Sequence, residues 1–317
     1  MANFMCHPGL QSSSRRRGSM HLVLALFLAF FFVACNDDDS SFATRPSDRS
    51  SSSMCEDCDD GSSSSKKQGD GGSEAAMTSS SSAKSSSSRI GCKTETEDNC
   101  EYGELVDGRD GQTYKTVKIG DQWWMAENLN YAFTDVPYSF REITSDSTSW
   151  CYDNDSDNCT KYGRFYTWAI AMDSVGIWSG NGKDCGSDKI CSPTYPVRGV
   201  CPSGWHLPDS TEWQILFNAV GGKSTAGTVL KSTSGWDDYY THIGNGTDVF
   251  GFSALPTGGR SCYGGKFNNE SHYAIFWSST EYDSDYGNVV SMAYAFDYAV
   301  LSKEEKPAGI SVRCIQD

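Results

Sequence analysis

The chain has 317 residues and a formal net charge of -15 at pH 7, and its composition changes sharply along its length. Residues 36–90 contain 20 Ser among 55 residues and no Tyr or Trp, whereas residues 101–317 hold all 9 Trp and all 16 Tyr. Because buried apolar area must offset ~1–2 kcal/mol of backbone entropy per ordered residue, only residues 101–317 can form a core. That part carries 28 acidic and 16 basic residues, which gives it a net charge of -12. Because an acidic surface repels phosphates, nucleic acid is not an expected partner.

The first 34 residues have the pattern of an export signal. Arg15–Arg17 precede an uncharged run, Met20–Ala34, which is shorter than the ~20 apolar residues that a membrane span needs. This pattern predicts a signal peptide over residues 1–34. The run ends Phe32-Val33-Ala34-Cys35 and resembles the lipobox of bacterial lipoproteins, which implies a diacylglycerol and an acyl chain such as palmitate on Cys35. The alternative is an ordinary signal peptide, or a membrane anchor, that happens to contain a cysteine.

Residues 35–100 are predicted to be a disordered tether behind the lipidated cysteine. Their Ser blocks cannot form a core, and a flexible coil of this length has an end-to-end distance on the order of 40 Å. The acidic run Asn36–Asp39 resembles the surface-export signals of some Gram-negative lipoproteins, or else begins the solvated tether. We therefore expect an outer-membrane lipoprotein, and its exposure on the cell surface is a hypothesis.

The cysteines of an exported chain are expected to form disulfides. Sequence alone does not give the connectivity, but proximity favours the pairs Cys55–Cys58, Cys92–Cys100, Cys151–Cys159 and Cys185–Cys191. A further pair, Cys201–Cys314, would join the chain end to the front of a helix. Cys262 then becomes the odd thiol.

The first elements of the folded part are a hairpin and a helix. Residues 114–119 and 122–126 alternate in polarity around Gly120-Asp121, which is typical of a two-residue hairpin turn. Apolar side chains at helical spacing then predict a helix from Lys161 to Met172.

A second helix is predicted after residue 208. Asp209 is its expected N-cap, Glu212 completes a capping-box pattern, and Gly221-Gly222 ends it. Trp213, Leu216, Phe217 and Val220 form its expected buried face, and Trp205 and Trp277 are assigned to the core. Short strands are predicted at Phe250–Leu255, Ala274–Ser279, Val289–Tyr298 and Ile310–Ile315. Helices and strands in separate blocks indicate an α+β fold.

Seven motifs resemble one known family, the Fibrobacter succinogenes major paralogous domain, over about residues 105–317. They are Asp110-Gly111-Gln112-Thr113-Tyr114, Trp124-Met125-Ala126-Glu127-Asn128-Leu129, Tyr162-Gly163-Arg164-Phe165-Tyr166-Thr167-Trp168, Cys201-Pro202-Ser203-Gly204-Trp205-His206-Leu207-Pro208, Gly251-Phe252-Ser253-Ala254-Leu255-Pro256, Phe276-Trp277-Ser278-Ser279-Thr280-Glu281 and Ser311-Val312-Arg313-Cys314. The resemblance implies a C-type-lectin-like domain over residues 101–317, with two helices, a small twisted antiparallel sheet and long loops. Such folds often staple the chain end to a helix, which suits Cys201–Cys314. Fold does not give function, and the family's molecular function is not established.

Aromatic side chains in polar or Gly-rich loops are the first candidates for a ligand site. Exposed apolar surface prefers burial unless it binds something. The candidates are Tyr239, Tyr240, Tyr263, Tyr282 and Tyr286.

A calcium ion is a second candidate ligand. Asp153, Asp155 and Asp157 alternate within the Cys151–Cys159 loop and offer hard oxygen ligands, although Asn158 and Arg164 stand where an EF-hand loop has Gly and an acid. A solvated acidic loop is the alternative, and no other cofactor is expected.

Nothing in the sequence indicates catalysis. The three histidines of the exported part show no zinc-ligand spacing, and His206 is expected to be a hydrogen-bonded structural residue. The sequence therefore predicts a non-catalytic, lipid-anchored domain that binds an extracellular ligand, with plant-cell-wall polysaccharide as the best guess. The alternative is a structural or protein-interaction module of the envelope.

Overall fold

The structure is a computed structural model that describes residues 91–317, apart from residues 135, 142 and 146. The predicted signal peptide, the lipidation site Cys35 and the Cys55–Cys58 pair lie outside the described residues. Within the described part, short helices accompany several largely antiparallel sheets, so the fold is mixed α+β with a predominance of β. None of the helices in this part combines the length and the hydropathy needed to cross a bilayer.

The elements of the described residues are numbered along the chain. The strands are β1 (Tyr102–Val106), β2 (Thr113–Ile119), β3 (Gln122–Met125), β4 (Tyr138–Phe140), β5 (Ile143–Ser145), β6 (Ser149–Trp150), β7 (Phe165–Tyr166), β8 (Trp205–His206), β9 (Gly259–Arg260), β10 (Phe267–Asn268), β11 (Tyr273–Glu281), β12 (Tyr286–Ala293), β13 (Ala299–Glu305), β14 (Ile310–Ser311) and β15 (Ile315–Gln316). The helices are α1 (Ser156–Tyr162), α2 (Trp168–Ala171), α3 (Ser210–Ala219) and α4 (Lys223–Leu230).

Two sheets form the centre of the domain. A five-stranded sheet has the order β1-β2-β3-β15-β8, and a six-stranded sheet has the order β13-β12-β11-β14-β7-β6. Adjacent strands are antiparallel, except that β11 and β14 run parallel. The last strand of the chain, β15, lies between β3 and β8, so the chain end closes the sheet that the first strands began.

The predicted hairpin and the predicted second helix are both present. Strands β2 and β3 pair up to Ile119 and Gln122, with Gly120 at φ +62° in the turn. Helix α3 begins with the expected capping box between Asp209 and Glu212. Trp213 on its inner face is fully buried and packs 4.7 Å from the Trp124 ring of β3, measured between centroids. Helix α3 is thereby attached to the first sheet.

The predicted helix from Lys161 to Met172 is wrong. The chain there forms α1, a bend, the short strand β7 and the single turn α2. The bend is at Gly163, whose φ is +73° and whose Cβ, if present, would lie 2.7 Å from the Cβ of Asn128. Thr167 then caps a new helix by accepting the Ile170 amide. The apolar spacing reflects burial on two different elements rather than one helix face.

Three further differences concern the second half of the domain. The predicted strand Ile310–Ile315 is divided into β14 and β15, which belong to different sheets. Phe250–Leu255 is not a strand, because Gly251 and Ser253 have positive φ values of 68° and 55°. The predicted strand Val289–Tyr298 ends at Ala293, and the chain turns there into β13. The expected pair of helices is also incorrect, because the described residues contain four.

Four predicted disulfides are confirmed. They are Cys92–Cys100, Cys151–Cys159, Cys185–Cys191 and Cys201–Cys314. Cys262 is disulfide-bonded as well, so the prediction of an odd thiol there is wrong.

The packed chain extends toward the N-terminus beyond residue 101. The Lys93 amide donates to the Val249 carbonyl at 3.0 Å, and Lys93 Nζ lies 3.3 Å from the carboxylate of Asp248. Residues 91–100, assigned from composition to the tether, therefore contact the domain.

Candidate ligand-binding surface

The five tyrosines predicted to bind a ligand lie in two groups at opposite ends of β12. Tyr286 is the first residue of this strand, and Tyr282 precedes it. Tyr239 packs instead on Tyr294, just beyond the last residue of β12, with ring centroids 5.4 Å apart. A strand of 8 residues spans about 26 Å. The predicted tyrosines therefore do not form one site.

One group is an exposed set of aromatic rings, which we call the aromatic platform: Tyr239, Tyr240, Tyr294, Phe296 and Tyr298. Tyr240 is 89% exposed, and Tyr239 packs edge-on against it at 4.7 Å. Phe296 and Tyr298 are stacked at 4.9 Å, and both are more than two-fifths exposed. Clustered apolar surface of this kind is typical of binding sites.

The loop that carries Tyr239 and Tyr240 is anchored by a buried tryptophan. The indole Nε1 of Trp236 donates to the Ser232 hydroxyl at 3.0 Å. Paired backbone bonds between Tyr239 and His242 close a tight turn, within which Tyr240 has φ +53°. A non-glycine residue in the left-handed region is strained, so the exposure of Tyr240 is maintained against a local backbone cost.

The other rings of the platform lie on the turn between β12 and β13, which packs on α4. A Cβ at Gly227 would lie 2.6 Å from the Tyr298 carbonyl oxygen, so this close approach requires glycine. The Thr228 hydroxyl donates to Asp297 Oδ1 at 2.7 Å, and the Thr228 amide donates to the Asp297 carbonyl at 3.0 Å. Helix α4 therefore fixes the turn in place.

A buried lysine at the end of α4 supports the same turn. Lys231 Nζ donates to the carbonyls of Ala293 and Phe296 at 3.2 and 3.3 Å and lies 5.0 Å from the Trp236 ring centroid. Burial lowers the pKa of Lys231 to about 8, and the carboxylate of Asp297 opposes this only in part.

Polar side chains surround the platform. His272 packs on the Tyr294 ring at 4.4 Å and places Nε2 3.2 Å from the carboxylate of Asp237. His242 Nε2 lies 3.8 Å from the carboxylate of Asp297. Open aromatic faces therefore occur beside groups that donate and accept hydrogen bonds, the combination found in small-molecule sites.

The second group differs because cations lie against its rings; we call Tyr263, Tyr282 and Tyr286 the cation-covered tyrosines. Lys303 Nζ lies 3.9 Å from the Tyr282 centroid and 4.3 Å from that of Tyr286. The Arg141 guanidinium lies 4.6 Å from the Tyr263 ring centroid. Cation–π attraction stabilises these contacts, and one face of each ring is thereby taken.

The three aspartates of the predicted calcium loop have separate positions. Asp155 caps α1 by accepting the Asp157 amide at 3.0 Å, and Asp153 lies in the preceding turn with φ +54°. The described residues contain no group of three His, Cys, Asp or Glu side chains that could hold a metal ion. Calcium binding by this loop stays a prediction.

His206 is a hydrogen-bonded structural residue. Nδ1 lies 2.7 Å from Asp317 Oδ1, and Nε2 lies 2.8 Å from Glu212 Oε1. Burial alone would lower the pKa of His206, but the hydrogen bonds and charges of Glu212 and Asp317 outweigh it and raise the pKa. The imidazole thus links the chain end to the start of α3.

Sequence reasoning missed three members of the platform. Tyr294, Phe296 and Tyr298 were assigned to a continuous strand, in which their side chains would share one face. The signal that could have separated them is Asp297, because a strand seldom contains Asp, which favours turns.

One comparison identifies the family. The sequence model described as the Fibrobacter succinogenes major domain matches residues 117–316. The chain belongs to this family. Searches of curated proteins and of solved structures found no match. The part matched to the Fibrobacter succinogenes major domain includes both tyrosine groups and the whole six-stranded sheet, whereas β1 and the start of β2 lie before it. The family assignment carries no ligand.

Proposed function

We propose that this protein is a lipid-anchored, non-catalytic component of the cell envelope that binds extracellular polysaccharide through the aromatic platform. One observation carries the proposal: Tyr240 is 89% exposed on a strained turn, and its ring packs against Tyr239, which in turn packs on Tyr294. Large exposed aromatics are unfavourable in water unless a partner covers them.

The chemistry of the platform favours a polysaccharide over an anionic ligand. A pyranose ring has a flat face of C–H groups that packs on an aromatic face, and equatorial hydroxyls that hydrogen-bond in the ring plane. His272 and Asp237 lie beside the rings to meet such hydroxyls. The excess of acidic residues disfavours a polyanion.

A C-type-lectin-like fold is part of the proposal. It is supported by the mixed α+β composition of the domain and by β15, which brings the chain end beside the early strand β3. The disulfide Cys201–Cys314 staples the same end. The loops, which carry the platform, would then hold the ligand site.

The proposed location follows from the N-terminal sequence. A signal peptide over residues 1–34 and a lipid on Cys35 would place the protein at the outer membrane, with the Ser-rich tether holding the domain clear of it. Protease treatment of intact cells tests surface exposure. Release of the domain is expected, and protection equal to that of a periplasmic marker would contradict it.

Binding to insoluble plant-cell-wall polysaccharide tests the proposed function. The full-length protein in detergent is compared with the double variant Tyr239→Ala/Tyr240→Ala and with a control, Tyr282→Ala, in depletion assays. We expect at least a tenfold loss of affinity in the double variant, equivalent to about 1.4 kcal/mol, and little change in the control.

The proposal would be contradicted if the double variant Tyr239→Ala/Tyr240→Ala were retained on polysaccharide as well as the control Tyr282→Ala. Binding of the wild-type protein to an envelope protein, with no polysaccharide retained, would favour the interaction module instead. The melting temperature of the double variant should stay close to that of the wild type, because Tyr240 is largely exposed. Tyr282→Ala should lower the melting temperature slightly, because it removes the contact with Lys303.

A further inference from the structure

A concave surface elsewhere on the domain shares no residue with the aromatic platform. This polar groove has a volume of about 410 Å³ and is lined by residues of the segments 112–114, 126–130, 159–163 and 253–255. Ligand pockets commonly have volumes of about 300–1,000 Å³. Four separate parts of the chain therefore meet around a space of suitable size for a small ligand.

One buried arginine holds three of these walls together. Arg313 is fully buried; its Nε donates to Asn128 Oδ1 at 2.6 Å and its Nη2 donates to the Ser253 carbonyl at 2.9 Å. Asn128 Nδ2 in turn donates to the Tyr162 carbonyl at 2.8 Å. The groove is thus built around a fixed hydrogen-bond network and does not depend on loop packing alone.

The wall at Ser253 is held in a strained conformation. Ser253 has φ +55°, which is uncommon for a residue other than glycine. Its amide donates to Oδ1 of the buried Asp248 at 2.6 Å, and its carbonyl accepts from Arg313. Two buried charged groups thus impose an unfavourable backbone geometry beside a cavity, a combination that clusters at binding sites.

The lining of the groove is polar and close to neutral overall. Thr113 and Thr160 offer hydroxyl groups, while Glu127 and Lys161 contribute one charge of each sign. Both charges already have partners within the protein. Glu127 Oε2 accepts the Lys115 amide at 2.6 Å.

Lys161, the positive charge of the groove, also has a partner within the protein. Lys161 Nζ lies 4.3 Å from the Tyr162 ring centroid. A charged ligand would have to compete with these contacts, whereas hydroxyl groups only add hydrogen bonds.

We infer that the polar groove between segments 112–114, 126–130, 159–163 and 253–255 binds a neutral saccharide unit as a second subsite. This inference rests on the proposed function for its ligand class. The platform stacks on an extended polysaccharide, and the groove takes a short stretch or an end of the chain through its hydroxyls. The two subsites use different residues, so they can be removed separately.

Titration calorimetry of the full-length protein in detergent with cellotetraose and xylotetraose tests the groove. The starting protein carries Tyr239→Ala/Tyr240→Ala, so that the platform is absent and binding reports the groove. Thr160→Trp, on the exposed side of α1, fills the space with a large ring. Asp157→Trp on the same helix lies outside the lining and is the matched control.

The expected result is that the platform-deficient protein still binds a tetrasaccharide, that Thr160→Trp lowers its affinity at least tenfold, and that Asp157→Trp does not. The inference that the groove binds a saccharide would be overturned if no platform-deficient protein bound a tetrasaccharide. Equal binding by both Trp variants would overturn it as well. The proposed function would then still be judged by retention of the wild-type protein on insoluble polysaccharide.

Salt dependence tests the ligand class separately. A neutral saccharide should bind with an affinity that added NaCl leaves unchanged, because its contacts are hydrogen bonds rather than ion pairs. Preferential binding of glycylglycine, a zwitterion, with an affinity that falls as salt rises, would show that the groove recognises charged ligands.

Discussion

The two ends of β12 and β13 each depend on a lysine that is only 1% exposed, and the two lysines are satisfied very differently. At the end with the cation-covered tyrosines, Lys306 Nζ lies 2.5 Å from the carboxylate of Glu281 and 4.6 Å from the Trp168 ring centroid. It also donates at 2.9–3.0 Å to the carbonyls of Gly186, Lys189 and Ser284.

At the platform end, the hydrogen bonds of Lys231 to the described residues go to two neutral carbonyls, those of Ala293 and Phe296. A buried cation without a carboxylate partner is unfavourable, which is why its pKa is lowered to about 8. The contrast extends to the rings: Lys303 covers Tyr282 and Tyr286, whereas Tyr240 is open. One end matches its charges and aromatic faces internally, and the other leaves aromatic faces exposed.

The largest expected effect comes from breaking the matched end. Lys306→Met leaves Glu281 mostly buried without its cation, and removal of one partner of a buried ion pair destabilises by about 3–5 kcal/mol. Urea unfolding of the variant should show a loss of this size. Lys231→Met is the matched control and should lose less than about 2 kcal/mol, because it removes two neutral hydrogen bonds together with an unfavourable buried charge. Equal losses of unfolding free energy in Lys306→Met and Lys231→Met would show that the two lysines do not differ in how their charges are paired.

A second substitution sharpens this test. Adding Glu281→Gln to Lys306→Met removes the unpaired carboxylate and should recover part of the lost stability. The recovery should be incomplete, since the carbonyls of Gly186, Lys189 and Ser284 still lack the Lys306 ammonium that donates to them. No recovery would mean that the charge of Glu281 is not the source of the loss.

The contrast between the two ends was partly visible in the sequence. Local signals were dependable where one element alone decides the structure: the Gly120 turn, the capping box of Asp209 and Glu212, and the short disulfide loops all formed as predicted. Tyr239 and Tyr240 were identified as exposed rings for the same reason, because their loop contains few apolar residues.

Elements defined by distant contacts could not be predicted. Helix α4 was missed because Gly227 and Thr228, poor helix formers, serve its contact with the turn after β12. The coverage of Tyr282 by Lys303 depends on the pairing of β12 with β13, which no local pattern encodes. The polar groove was missed for the same reason, since its walls are far apart in sequence.

The pH dependence of the free energy of unfolding tests whether Lys231 is a buried cation without a carboxylate partner. Folded Lys231 loses its proton near pH 8, whereas its unperturbed pKa is 10.5. Above pH 8 the unfolded chain therefore binds more protons, and the free energy of unfolding rises with pH by up to about 1.4 kcal/mol per unit. The window of about pH 8 to pH 9 avoids titration of tyrosines in the unfolded chain.

This rise should be smaller by about 1 kcal/mol per unit in Lys231→Met, measured by urea unfolding at each pH. Other groups titrate alike in both proteins, so the difference between the two curves isolates Lys231. Parallel curves would contradict the lowered pKa.

The smallest expected effect concerns the cation-covered rings. Lys303→Ala removes a cation–π contact at a partly exposed site and should destabilise the domain by about 0.5–1 kcal/mol. The substitution also uncovers one face of Tyr282. If open faces distinguish the two ends, Lys303→Ala in the Tyr239→Ala/Tyr240→Ala background should regain a few-fold affinity for insoluble polysaccharide in depletion assays. Lys303→Met, which keeps the aliphatic stem over the rings, should regain less. A gain that is equal for both, or absent, would mean that the exposure of ring faces is not what separates the two ends.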